Sequence, residues 1–198
     1  MTRHNLRRTK ASVTRQRFLF ILLLFLFMLP GMLPGMALAQ AEPILTYRST
    51  HDLLPTDDVH WVEVYEDGTA LVHYPVYMKK AGDYTVQLKP NEVQQIRLLL
   101  EHPLVQKFDH DKLIKDKKEK DAESTELFHI SDNTYSEFEI NLPVQPKNNA
   151  SNKSQKIRWA NVRIDAERYP GMGIFRKLAD IQDSLRELDQ HPTAQRVE

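Results

Sequence analysis

The chain is predicted to hold one α+β domain, an antiparallel sheet of about five strands with two main helices packed on one face. Three observations predict it. Two runs rich in β-branched and aromatic residues, His60 to Tyr65 and Ala70 to Tyr74, flank Asp67-Gly68 and read as a hairpin. Period-two alternation recurs in Tyr84 to Leu88 and in Ser136 to Leu142, and three-and-four spacing marks two amphipathic helices.

Taken in order, the first strand candidate is the short run Ile44 to Tyr47, inside a lead-in that spans residues 40–58. In the hairpin, a two-residue Asp67-Gly68 turn sets Val64 opposite Leu71 and Val62 opposite His73. Trp61, Tyr65, Val72 and Tyr74 then share the other side. Both faces carry apolar weight, so the hairpin is expected to be central or covered on both sides. Gly82-Asp83 reopens the chain into a strand with Tyr84, Val86 and Leu88 inward. A helix follows, with Pro90 at its first position, Glu92 near the positive end of its dipole, and Val93, Ile96, Leu99 and Leu100 along one face. Pro103 ends it.

Residues 109–123 are nearly all charged, with both signs mixed, and are expected to be a solvated insert, helical or disordered. Ser136 to Leu142 buries Phe138, Ile140 and Leu142. Its expected partner is Lys156 to Val162, where the inward phase of Ile157 and Trp159 fails at Val162 and predicts a bulge near Ala160-Asn161. The polar loop 143–155 between them holds two acceptor patterns for N-glycosylation, at Asn149 and Asn152. The closing helix runs from about Met172 to Leu188 with a stripe of Phe175, Leu178, Ile181, Leu185 and Leu188. The domain is therefore bounded at 59–189, and residues 190–198 form a polar tail.

Residues 1–39 read as a secretory signal peptide. Six basic residues and no acid lie before the uncharged run Phe18 to Leu29. Prolines and glycines then precede Ala37-Leu38-Ala39, so cleavage after Ala39 or Ala41 fits. The alternative is an uncleaved anchor, because Phe18 to Ala39 is 22 residues and a span needs about 20. The expected location is periplasmic or extracellular, with membrane contact only if the segment stays.

Removing that segment takes six of the 27 basic residues and leaves 21 against 27 acidic, a net charge of minus six. An acidic mature chain weighs against nucleic acid as a partner. There is no cysteine, which excludes disulfides, thiolate metal sites and cysteine nucleophiles. No Gly-x-Ser-x-Gly elbow, glycine-rich phosphate loop or His-Glu-x-x-His pair occurs, so no catalytic residue, no cofactor and no enzymatic activity are expected. The local cluster richest in ligand atoms is Asp109-His110-Asp111, with His102 and His129 nearby in sequence, and it supplies an alternative reading as a metal- or small-ligand-binding envelope protein. His60 and His73 share a hairpin face in the two-residue-turn register without being opposite. Tyr47, Tyr77 and Tyr135 are candidate exposed contact residues.

Leu88-Lys89-Pro90-Asn91-Glu92, the run Asp132 to Ile140 and the Leu178 to Leu188 stripe, in this order of elements, resemble the emfourin-type small bacterial proteins. Some of these inhibit thermolysin-family metalloproteases. The resemblance runs from about Ile44 to Leu188 and implies the same α+β layout and a non-enzymatic role through binding another protein, with a secreted or periplasmic metalloprotease as the specific candidate.

Overall fold

The computed structural model describes residues 41–53, 57–123, 130–142, 154–186 and 188–197. The signal segment, both glycosylation patterns and His129 lie outside them. Among the described residues, seven strands form one antiparallel sheet in the order β6-β5-β1-β2-β3-β4-β7, two more strands than expected. They are β1 (Leu45–His51), β2 (His60–Val64), β3 (Thr69–Tyr74), β4 (Gly82–Gln87), β5 (Thr134–Ile140), β6 (Gln155–Ala160) and β7 (Gln195–Arg196). The helices are α1 (Pro90–Leu100), α2 (Pro103–Gln106), α3 (His110–Glu123), α4 (Val162–Arg168) and α5 (Gly173–Arg186), with a 3-10 turn at Leu188–Gln190.

The two additional strands come from the segments read as lead-in and tail. β1 takes in the strand candidate Ile44 to Tyr47 and runs on through polar residues to His51; it pairs with β2 on one side and β5 on the other, with Leu45 and Tyr47 buried. Ladders on both sides satisfy its backbone, and that outweighs weak alternation. β7 gains its place through pairing of Tyr84 with Arg196 and Thr85 with Gln195.

The hairpin is central, as expected, but its register is shifted. Val62 pairs with Val72, Val64 with Ala70 and Trp61 with His73. The cause is the loop, which has three residues where two were expected. Tyr65 N donates to Thr69 O at 2.8 Å, Gly68 N donates to Tyr65 O at 3.1 Å, and Gly68 takes φ +88°. A tight turn followed by a left-handed glycine is the usual three-residue solution. The shift puts Val62, Val64, Ala70, Val72 and Tyr74 on the core face, and leaves Trp61, Leu71 and His73 on the opposite, partly open face.

The helices lie on the core side. Val86 and Leu88 of the β4 run meet Val93, Ile96 and Leu100 of α1, while Phe175, Leu178, Ile181 and Leu185 of α5 close over the sheet. Glu92 accepts a 2.6 Å hydrogen bond from Lys89 N and holds the first turn of α1. The expected bulge after Trp159 is absent. Asn161 instead adopts φ +55°, its side-chain oxygen accepts from Thr134 N at 3.0 Å, and the chain turns directly into α4. Val162 thus belongs to a helical period with Asp165 and Tyr169, all three buried.

Candidate functional site

The charged stretch 109–123 is α3, and it docks with little apolar help. Leu113 is its one buried hydrophobic residue. Its attachment is ionic: Lys117 Nζ donates to both carboxylate oxygens of Asp165 at 2.8 Å. Asp165 is 2% exposed and also accepts the Trp159 indole N–H at 2.7 Å. The ammonium lies 5.8 Å from the Trp159 ring centroid and 5.3 Å from that of Tyr169, so two aromatic faces complete its surroundings. Tyr169 in turn donates its hydroxyl to Asp121, which also pairs with Arg168 at 3.4 Å. Burial, with the Asp121 carboxylate beside it, pushes the Tyr169 phenol up to about 12, so it remains a donor.

This network floors a cleft of about 490 Å³ between α3 and the outer end of β6. One wall is His110, Ile114, Lys117 and Asp121; the other is Arg158 to Asn161 with Tyr135. Arg158 stacks its guanidinium 4.2 Å over the Tyr135 ring and bonds Glu137 at 2.8 Å. Tyr135, expected as an exposed contact residue, is therefore half-buried under an arginine.

A second cluster stands at the end of the sheet where the β1–β2 and β3–β4 connections emerge. Both ring nitrogens of His73 lie 2.6 Å from carboxylates, Nδ1 from Asp83 and Nε2 from Asp58, and its ring stacks on Trp61 at 5.6 Å. Two acceptors facing two ring nitrogens favour the doubly protonated ring. Partial burial lowers the His73 pKa, but the bonds to Asp58 and Asp83 outweigh it and the net shift is upward. The other Asp58 oxygen accepts from Val76 N at 2.8 Å, tying one connection to the other. That bond and the His73 contact hold the Asp58 carboxyl below its ordinary value.

His60 does not share this face. It stacks on Tyr74 at 4.8 Å on the core side and donates from Nδ1 to His73 O at 2.7 Å. Burial lowers its pKa. The one-residue register shift is what separates the two histidines.

The turn between β3 and β4 is exposed and apolar: Val76 is 82% exposed, Tyr77 47% and Met78 39%, and Leu53 across the way is 68%. Lys80 pairs with Asp189 at 2.8 Å behind the tip. Tyr47, the third tyrosine expected on the surface, is instead buried against Phe138 and takes a hydrogen bond from Gln182.

Each member of the Asp109-His110-Asp111 triplet has a place at the start of α3. Asp109 accepts from Lys112 N at 2.9 Å, His110 packs edge-on against Trp159, and Asp111 is exposed in the first turn. His102 accepts from Leu104 N at 3.2 Å and caps α2. Among the described residues, no three His, Asp or Glu side chains converge as a metal site. A hydroxyl, an imidazole and a carboxylate do line up at Thr193, His191 and Glu92, but Thr193 Oγ1 donates to Gln87 O at 2.9 Å while accepting from Gln87 N. Its proton is committed to a carbonyl, and the group fastens the chain end to β4.

The reading from sequence missed Lys117, Trp159 and Asp165 as a unit, since they meet only through the fold. The broken strand phase at Asn161, followed by Val162, Asp165 and Tyr169 at helical spacing, was the available signal. Among the described residues, no helix is long and apolar enough to cross a membrane. Compared with models of protein families, with curated proteins and with solved structures, the chain matches none.

Proposed function

We propose that this is an exported, non-enzymatic protein-binding domain whose contact surface is the loop end built around Val76, Tyr77, Met78 and Leu53. The observation that carries the reading is that an exposed apolar tip is held in place from below. Asp58 bonds Val76 N and His73 together, and Met78 N donates to Pro75 O at 2.9 Å within the turn. Apolar and aromatic side chains suit protein contacts, and a turn already fixed loses little freedom on binding.

The partner class comes from the resemblance noted above: a thermolysin-family metalloprotease outside the cytoplasm. Titrating the exported chain into such a protease and following peptide hydrolysis tests it. Inhibition is expected, weakened about thirtyfold by Tyr77→Ala if the tyrosine is a contact anchor worth about 2 kcal/mol. Unchanged hydrolysis together with no complex on size-exclusion chromatography would remove the reading.

A further inference from the structure

The cleft beside α3 has a property that neither its side chains nor its volume conveys: one wall is a sheet edge that no described residue pairs. Asn161 N donates to Thr134 O, and the ladder pairs Trp159 with Ser136 and Ile157 with Phe138. Alternation along an antiparallel strand then directs the backbone groups of Asn161, Trp159 and Ile157 toward β5, and those of Lys156, Arg158 and Ala160 outward. No hydrogen bond reaches the backbone N–H or C=O of these last three residues from any described residue. At the opposite end of the sheet the edge is the two-residue β7, so among the described residues β6 is the long edge without a partner strand.

A free edge usually invites its own copy. Here the side chains oppose that. In antiparallel pairing of β6 with a second β6, the registers that use most of the edge set Arg158 opposite itself or opposite Lys156, and like charges facing each other destabilise a pair. An acidic strand meets the reverse situation: Lys156 and Arg158 pair across the ladder with Glu139 at 3.2 Å and Glu137 at 2.8 Å, yet their side chains stay exposed beside the edge and can extend that alternation of charge to a further strand, while Arg168, paired with Asp121, stands at the end of the cleft. α3 forms the facing wall along Arg158 to Asn161, enclosing about 490 Å³, room for side chains of an added strand, with Lys156 on the same edge just beyond the cleft. A strand edge beside a helix is the geometry by which β-augmentation captures extended peptides.

We propose that the groove between β6 and α3 binds an extended segment of a partner protein as an eighth strand, with acidic residues at alternate positions set against Lys156 and Arg158. The site is separate from the loop tip and does not depend on the metalloprotease reading. The backbone of Lys156, Arg158 and Ala160 supplies affinity, and the two cations choose the sequence.

The test uses the full-length chain, expressed with its N-terminal segment and purified in the processed form the host yields. The probe is a capped hexapeptide alternating glutamate and valine, with a lysine-valine hexapeptide for comparison. Binding by fluorescence polarisation is expected to favour the acidic peptide at least tenfold. Amide exchange at Lys156, Arg158 and Ala160 is expected to slow at least tenfold on saturation. Two controls avoid dependence on a variant that fails to fold. The acidic peptide N-methylated at alternate residues loses binding if backbone pairing carries it, and Tyr77→Ala leaves peptide affinity unchanged. Equal affinity of the N-methylated peptide, no added protection at the three amides, or concentration-dependent protection there without peptide would each overturn the proposal, the last by showing a second copy as occupant.

Discussion

Replacing Lys117 with methionine isolates what holds α3 to the domain. The substitution keeps the stem that packs beside Trp159 and Tyr169 but removes the ammonium that bonds both Asp165 oxygens. Asp165 has only 3% of its side chain exposed, so it cannot recover water in place of the lost partner, and the Trp159 N–H alone remains to it. Breaking a buried pair by removing one member costs about 3–5 kcal/mol. Because the indole bond persists and Lys117 itself is 28% exposed, the lower figure applies, about 3 kcal/mol. For a domain of this size that is a fall in Tm of roughly 6–12 °C. In urea it is a midpoint shift of about 1.5 M at unchanged slope. Pairing Lys117→Met with Asp165→Leu removes both charges, and the double variant is expected to lose less than the sum of the singles by at least about 1 kcal/mol. A Lys117→Met protein within about 0.5 kcal/mol of the parent, or strict additivity in the cycle, would refute the idea that this pair is the attachment of α3.

Other expectations follow from the same reasoning. His73 has its pKa raised by Asp58 and Asp83 against the effect of burial, so its contribution to stability is complete below the unfolded value of about 6.5 and is lost as pH rises through the higher folded pKa. NMR titration should place its midpoint above 6.5, and Asp83→Asn should lower it; a midpoint at or below 6.5 in the parent would contradict the geometry. Gly68→Ala puts a Cβ 2.7 Å from Leu88 O at φ +88°, and a loss of about 1–3 kcal/mol in urea unfolding is expected. Asp58→Ala removes the bond to Val76 N, so exchange of that amide should accelerate by at least tenfold while Val62 and Val72 amides in the hairpin stay protected.

The parts of the fold that sequence reasoning reached are those where a single element repeats one hydrophobic period. Tyr84 to Leu88, α1 and α5 all state their buried face in local spacing, and most of the expected residues are buried, with Tyr84 and Leu99 half-buried and Leu188 buried from the 3-10 turn beyond α5. What escaped depends on residues far apart. The hairpin register turned on whether Gly68 joined the loop as a third residue, a choice set by its contact with Leu88, whose N–H donates to Gly68 O at 2.8 Å. α3 reads as a solvated charged run because the polar contacts that seat it, Lys117 with Asp165 and Asp121 with Tyr169, each reach across 48 residues. α4 hides behind strand-like residues until Asn161 turns the chain, and β7 is two residues whose pairing partner is in another third of the chain. Of the loop end only Tyr77 stood out by residue type, and the bonds beneath it did not, since Asp58, His73 and Asp83 come from three segments.

The position of β1 also bears on when this domain can fold. It is the first element among the described residues, yet it stands inside the sheet, and its Leu45 pairs with Ile140 while the last strand closes on Tyr84 from Arg196. A ribosome releases β1 to β4 long before β5 exists, so the early half waits with an unfilled ladder and an uncovered apolar face, and the slow step is a long-range closure. The sheet cannot close until the final third of the chain is available. Strand order thus makes completion of the core depend on the last elements made, β5 to β7 and α5.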